Sequence, residues 1–319
     1  MKNWQKLLAP LLILVLLLAA CGGSGEAKKE DGKIQVYTTV YPLTYLTQQI
    51  GGSYVHVKSI YPAGADAHSF EPTQKDMLKL ADSDLFFYIG LGMEGFVDKA
   101  KSTLKEEKVS FIPLAEKLDL PKDPDAALEN DEHEHEGEEH EHEHGDINPH
   151  VWLYPKYMEE MAKTIRDRLT KEMPKQKATF EENYKKTVEK LKKLDDSYAE
   201  MAKNAKHKDF VTAHAAYSYW NTAYGLHQIP IAGISTSDEP SQKKLQTIVQ
   251  TIKKDKIPYI MLEQNTNSKI ADVIQSETDT KALTLHNLET LTEKDIHQNR
   301  DYLSIMNDNL KALKEALNY

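Results

Sequence analysis

The 319-residue sequence predicts an α/β fold of two lobes, each a mostly parallel, helix-flanked sheet, joined by one long rigid helix. Three observations predict it. Short β-branched or apolar runs alternate with helical patterns from Ile34 to Ile112, the signature of a parallel sheet with crossover helices. The same alternation restarts at Asp209. Between the two stretches, Phe180, Tyr184, Val188, Leu191, Leu194, Tyr198 and Met201 recur at spacings of three and four, a single apolar stripe. A helix of about 30 residues carrying that stripe would be about 45 Å long, enough to cross a whole domain. A coiled coil would show similar spacing, but mixed aromatics over so few heptads suit a helix laid along two lobes better.

Taken in order, Ile34–Val40 reads as a strand, and Pro42–Ile50 as a helix closed by Gly51-Gly52. Val55–Ile60 alternates as a second strand and runs into the loop Pro62–His68. Thr73–Ala81 follows as a helix, Leu85–Ile89 as a buried strand, Met93–Leu104 as a helix and Val109–Ile112 as a strand. Lys156–Met173 is helical, and Pro174 sits where it can open the long helix. In the second lobe the strands are Asp209–Thr212, His227–Ile231, Tyr259–Leu262 and Ala282–Leu285. Its helices are Ala215–Tyr224, Gln242–Lys254, Asn267–Ser276 and a closing helix from His297 to Leu317. The expected organisation is therefore an N-terminal lobe over 33–173, a linking helix over 174–206 and a C-terminal lobe over 207–319.

The first residues differ from the rest. Lys2 and Lys6 precede an apolar run, Leu7–Leu18, shorter than the roughly 20 residues that span a bilayer, and small residues end it at Ala19-Ala20-Cys21. That pattern predicts a signal peptide over 1–20 and an exported protein. Cys21 is the only cysteine, so no internal disulfide forms. Leu18-Ala19-Ala20-Cys21 resembles a bacterial lipobox, which implies lipid on Cys21, a flexible tether over 21–32 and a body held at the outer face of the cell membrane.

The composition of the whole chain, 40% hydrophobic and 28% charged, is that of a soluble globular protein. Net charge is −10, and ten acids without a base lie between Glu129 and Asp146, so the acidity is local. No basic face for nucleic acid is present, and a local negative field attracts cations. Within this tract His133, His135, His140, His142 and His144 stand among glutamates, which concentrates the nitrogen and oxygen donors that borderline divalent metals accept. His140 and His144 formally fit the H-E-x-x-H zinc-protease pattern, but nothing apolar flanks them to pack a helix.

In open α/β sheets ligands bind beyond the carboxyl ends of strands. Four residues near such ends stand out: His68 in Ala67–Pro72, His150 in Asn148–Trp152, His214 in Thr212–Tyr219, and Glu289 after the last strand. Two come from each lobe, so they form one set facing the cleft. Three imidazoles and one carboxylate suit zinc, at about 2.0 to 2.2 Å, better than manganese or magnesium. Glu71 is expected to accept a ligand ring N–H, Trp152 to pack the cleft, and Tyr217 and Tyr219 to lie in the core. His56, His207, His227 and His297 read as structural or exposed.

The motifs A-H-S-F-E-P (Ala67–Pro72), N-P-H-V-W (Asn148–Trp152) after a histidine-rich loop, and T-A-H-A-A-Y-S-Y (Thr212–Tyr219) resemble the first three ligand motifs of the extracytoplasmic metal-binding lipoproteins of bacterial ABC importers. Within that cluster A-I family the resemblance is to the zinc-uptake members, and it covers essentially the whole mature chain. It implies His68, His150 and His214 as ligands and Glu289 as the fourth, with His286, Glu263 or a water as alternatives. It also implies zinc as cargo, an ABC transporter permease with its cytoplasmic ATPase as partner, membrane attachment through the lipid, a monomer, and no enzymatic activity. A manganese-specific member would carry a carboxylate where His214 stands. An envelope zinc buffer or adhesin is the other alternative, and there the tract would be the working part. Because imidazole binds metal only when neutral, affinity is expected to fall as pH drops through about 6.5.

Overall fold

A computed structural model describes residues 32–123, 147–238, 240–264 and 269–319; over these residues the alternation folds into two four-stranded, all-parallel sheets. The signal segment, Cys21, the tether up to residue 31 and the histidines of the acidic tract lie outside the described residues. Both sheets belong to one compact unit, Ile34–Tyr319. Among the described residues no helix is long and apolar enough to cross a membrane.

The first sheet runs β1 (Ile34–Thr38), α1 (Tyr41–Gly51), β2 (Val55–Ser59), α2 (Gln74–Ala81), β3 (Leu85–Tyr88), α3 (Val97–Thr103) and β4 (Ser110–Pro113). Its spatial order is β2-β1-β3-β4. The inner strand β3 is buried at every position, whereas the edge strand β2 is buried only at Val55, as parallel sheets covered on both faces require. After the helix α4 (Pro155–Glu172) and one short turn opened by Pro174, the long helix α5 (Lys177–Asn204) runs for 28 residues. The second sheet follows as β5 (Asp209–Thr212), α6 (Tyr219–Tyr224), β6 (His227–Pro230), α7 (Gln242–Asp255), β7 (Tyr259–Leu262), α8 (Lys269–Thr278) and β8 (Lys281–Thr284). Helices α9 (Glu293–His297) and α10 (Tyr302–Ala316) close the chain. Its order, β6-β5-β7-β8, repeats that of the first sheet.

Three expectations shift, each for a local reason. Helix α3 begins at Val97 rather than Met93, because Gly90, Leu91 and Gly92 adopt positive φ and the Glu94 carboxylate caps the turn, accepting from Thr39 Oγ1 and the Ile89 and Gly90 N–H groups. Burial pushes that carboxyl up to about 7. Helix α6 begins at Tyr219 rather than Ala215, because the Ala215 N–H is used by the Gly233 carbonyl. The closing helix begins at Tyr302 rather than His297, behind a separate short helix. Thr292 and Asp295 form a capping box on α9, Asn299 turns the chain with φ 51°, and Asp301 with Ser304 caps α10.

The apolar stripe of α5 packs on α1 and α4 from the first lobe and on α6 and α10 from the second, so one helix spans both sheets. Phe180, Leu191, Leu194, Tyr198 and Met201 are buried in one continuous core shared by the two lobes, while Tyr184 and Val188 lie at its margin. Hydrogen bonds cross this core. Tyr302 Oη donates to the Trp152 carbonyl at 2.8 Å, and Trp220 Nε1 to the Leu153 carbonyl at 2.9 Å. The opposite face of the second sheet packs a separate small core of Val211, Ile231, Ile248, Ile252, Ile257, Ile260 and Ile274.

Removing a buried side chain from the α5 stripe leaves a cavity under the joint of the lobes. Leu191→Ala is expected to lower unfolding stability by about 2–5 kcal/mol in urea titrations, while Glu189→Ala on the exposed face leaves the midpoint nearly unchanged.

Candidate metal centre

His68, His150, His214 and Glu289 each offer one donor atom, and these four atoms all lie within 4.8 Å of one another. The residues arrive from four separate loops. His68 follows β2, in a loop ordered by Asp66, whose carboxylate accepts from the His68 and Ser69 N–H groups. His150 precedes the short turn Val151–Leu153 that opens α4. His214 follows β5 directly, and Glu289 sits beyond β8 in a turn that places Leu288 at φ 63°.

The spacing is that of a small cage. His150 Nε2 is 3.2 Å from both His68 Nε2 and His214 Nε2. Glu289 Oε1 lies 3.5 Å from His68 Nε2 and 3.7 Å from the other two. A tetrahedral zinc with the usual bond lengths needs donor–donor edges of about 3.3 Å; these five edges run from 3.2 to 3.7 Å, and the sixth, between His68 and His214, lies within 4.8 Å.

Hydrogen bonds fix which atoms face inward. Asn148 Nδ2 donates to Asp123 Oδ2 and to the Ala215 carbonyl, which turns its Oδ1 toward His150. That oxygen accepts from His150 Nδ1 at 2.7 Å, leaving the Nε2 lone pair free to point into the cage. Glu263 Oε1 does the same for His214 Nδ1. Glu289 is held at both ends: its Oε2 accepts the Ala67 N–H at 3.4 Å and its carbonyl accepts the Tyr41 N–H at 2.9 Å. Its Oε1 is buried with no hydrogen-bond partner, and an orphaned carboxylate oxygen facing three imidazoles is a donor set that fits a divalent cation.

Three of the four residues are fully enclosed, and only His68, with 11% of its side chain exposed, reaches solvent. Burial pushes the His150 imidazole down to about 3, so it is neutral and able to bind. Burial would raise the Glu289 carboxyl, but the imidazoles of His150 and His68 hold it well below the usual range. For His214, burial alone would lower the value and the Glu263 carboxylate outweighs it, so its imidazole takes a proton more readily than usual.

Of the alternatives for the fourth donor, Glu263 stands behind His214 on the side away from the cage. His286 faces elsewhere, with Nε2 at 3.2 Å from Asp295 and Nδ1 accepting the Leu288 N–H at 2.9 Å. Glu71 is exposed, because Phe70 turns inward onto Tyr61 and Phe96 and carries the chain outward after it; Asn148 and Glu263 are the ring acceptors instead. Trp152 is buried beside His150, with ring centroids 5.1 Å apart. Tyr217 and Tyr219 are buried and bond to the Leu285 and Asn148 carbonyls. His207 stacks on Tyr319 and His227 faces Asp209 at 3.2 Å, both outside the centre, as are His56 on β2 and His297 on α9. The role of Asn148 was missed from sequence, although its place two residues before His150 is the signal that could have marked it.

A family model described as "ZnuA: Zinc-uptake complex component A periplasmic" matches residues 36–316. The chain is 39% identical over 316 residues to the zinc-binding lipoprotein AdcA of Streptococcus pneumoniae (strain ATCC BAA-255 / R6), covering 99% of this chain and 61% of AdcA, so it spans less than two thirds of that relative. It is 36% identical over 319 residues to the high-affinity zinc uptake system protein ZnuA of Bacillus subtilis (strain 168), covering 99% of this chain and 98% of that one. The crystal structure of the Zn(II)-bound ZnuA-like domain of Streptococcus pneumoniae AdcA superposes with a TM-score of 0.74 at 36% identity, covering 90% of this chain and all of the other.

Protons and a metal ion compete for the inward-facing nitrogens. The raised value of His214 means that its Nε2 is protonated in the metal-free state already above pH 6.5, and that proton must leave when metal enters. Zinc affinity measured against a competing chelator should therefore fall from above pH 6.5 downward, by about tenfold per pH unit for each proton displaced. Constant affinity between pH 8 and pH 5.5 would contradict this.

Proposed function

We propose, from the premise that the chain belongs to the ZnuA family of zinc-uptake components, that it captures Zn2+ in the cleft between its lobes and delivers it to an ABC transporter permease for uptake. One observation carries the reading: three imidazole nitrogens and an orphaned carboxylate oxygen converge within 4.8 Å of one another. His68, His150, His214 and Glu289 are the proposed ligands. With all four positions supplied by side chains, no coordination site remains for an activated water, which favours binding over hydrolysis. Zinc is cargo here, and no bond is made or broken.

The same reading places the body outside the cytoplasmic membrane, held by lipid on Cys21, as a monomer that docks on the permease, whose ATPase lies on the cytoplasmic side. It is supported by the relatives named as lipoproteins and uptake-system proteins. His133, His135, His140, His142 and His144 are proposed as an auxiliary chelator that gathers ions near the cleft. An envelope zinc buffer is the competing reading, in which the tract holds the ion.

Zinc titration of residues 28–319 separates the two, run beside a variant lacking 129–145 and a His68→Ala, His214→Ala double variant. The tract-less protein is expected to keep one tight zinc and the double variant to lose it. Loss of the tight zinc with the tract would overturn capture in the cleft and favour the buffer.

A further inference from the structure

Behind the four donor atoms lies a second layer of polar groups, and it meets at one buried residue. Each polar atom of Asn287 is bonded. Its Nδ2 donates to Glu263 Oε2 at 2.9 Å, and its Oδ1 accepts from the Glu289 N–H at 3.1 Å and from Gln264 Nε2 at 3.0 Å. Its N–H donates to Gln264 Oε1 at 3.3 Å, and its carbonyl accepts from Trp152 Nε1 at 2.7 Å. One step further, these partners reach three of the four donors. Glu263 orients His214, Glu289 is itself a donor, and Trp152 lies against the His150 ring.

The topology explains why a bridge is needed. His214 ends β5 and Glu289 lies beyond β8, and these strands are not neighbours, because β7 stands between them. Tyr217 Oη ties the segment after β5 to the Leu285 carbonyl just after β8, and the donors themselves are tied through the loop after β7, where Glu263 and Gln264 stand. A carboxamide offers a donor and an acceptor on opposite sides of one rigid plane, which is what a carboxylate on one side and an N–H on the other demand.

Resting on the zinc-capture reading, we infer that Asn287 is a positioning residue that sets the selectivity of the cleft, holding His214 and Glu289 at the span of a small four-coordinate ion. Manganese and magnesium take more ligands, mostly oxygen, and are disfavoured by a cage that cannot spread. Releasing the bridge lets the donors move apart. Zinc then loses more than manganese does.

Asn287→Asp keeps the shape but sets a second carboxylate against Glu263, and Asn287→Ser removes all three side-chain bonds without adding charge. Each is compared with the unaltered chain by thermal unfolding without metal, by Zn2+ and Mn2+ competition titrations, and by the visible spectrum of the protein with one equivalent of Co2+. The expected result is a zinc Kd raised by about 10–100-fold, a smaller change for Mn2+, and weaker cobalt absorption as the ion leaves tetrahedral geometry. Equal losses for both metals with an unchanged cobalt spectrum would overturn the inference. So would unfolding of both variants, since Asn287 would then serve the fold alone. Absence of tight zinc in the unaltered chain would instead sink the capture reading itself.

Discussion

A carboxylate buried among three imidazole nitrogens is the constraint on which the rest of the structure depends. Glu289 is ionised, enclosed and without a hydrogen bond to Oε1, so in an apolar interior it would be costly by several kcal/mol unless positive charge balances it. His214, whose imidazole takes a proton more readily than usual, supplies that balance in part. A divalent cation supplies it more fully and uses all four donors at once. The centre is thus built so that the absence of a cation is the less favourable condition.

Such a cage works only if its four loops are held from behind. The hydrogen bonds that do so come from both lobes: Asn148 on His150, Glu263 on His214, Ala67 and Tyr41 on Glu289. Loop-to-loop bonds reinforce them, with Thr290 Oγ1 donating to the Ala65 carbonyl and the Gly64 N–H donating to the Leu291 carbonyl. Thr236 adds a contact to Asp66 across the cleft. The helix α5 and the shared aromatic core give these bonds a common frame, because a continuous helix has few backbone angles free to change. A frame of this kind favours small adjustments at the cleft over wide swings of whole lobes.

The sequence by itself determined the architecture and most of the centre. Period-two and period-3.6 patterns are local, so β1 to β8 and the stripe of α5 could be read from neighbouring residues alone, within a residue or two in most cases. His68 and His214 stood out in the sequence because each lies in the stretch that follows a strand, and His150 because it follows the histidine-rich tract between Pro149 and Val151-Trp152. Boundaries set by distant contacts were not legible. The start of α3 depends on Glu94 reaching back to Thr39, and the start of α6 on a bond to Gly233. Only the tertiary structure chose among the carboxylates and placed the second layer. Spacing cannot tell that Glu289 faces the three nitrogens while Glu263 stands behind one of them, or that Asn287 ties both together. Those facts depend on which loops of non-adjacent strands are brought together and on which way each side chain then points, and the packing of two sheets decides both.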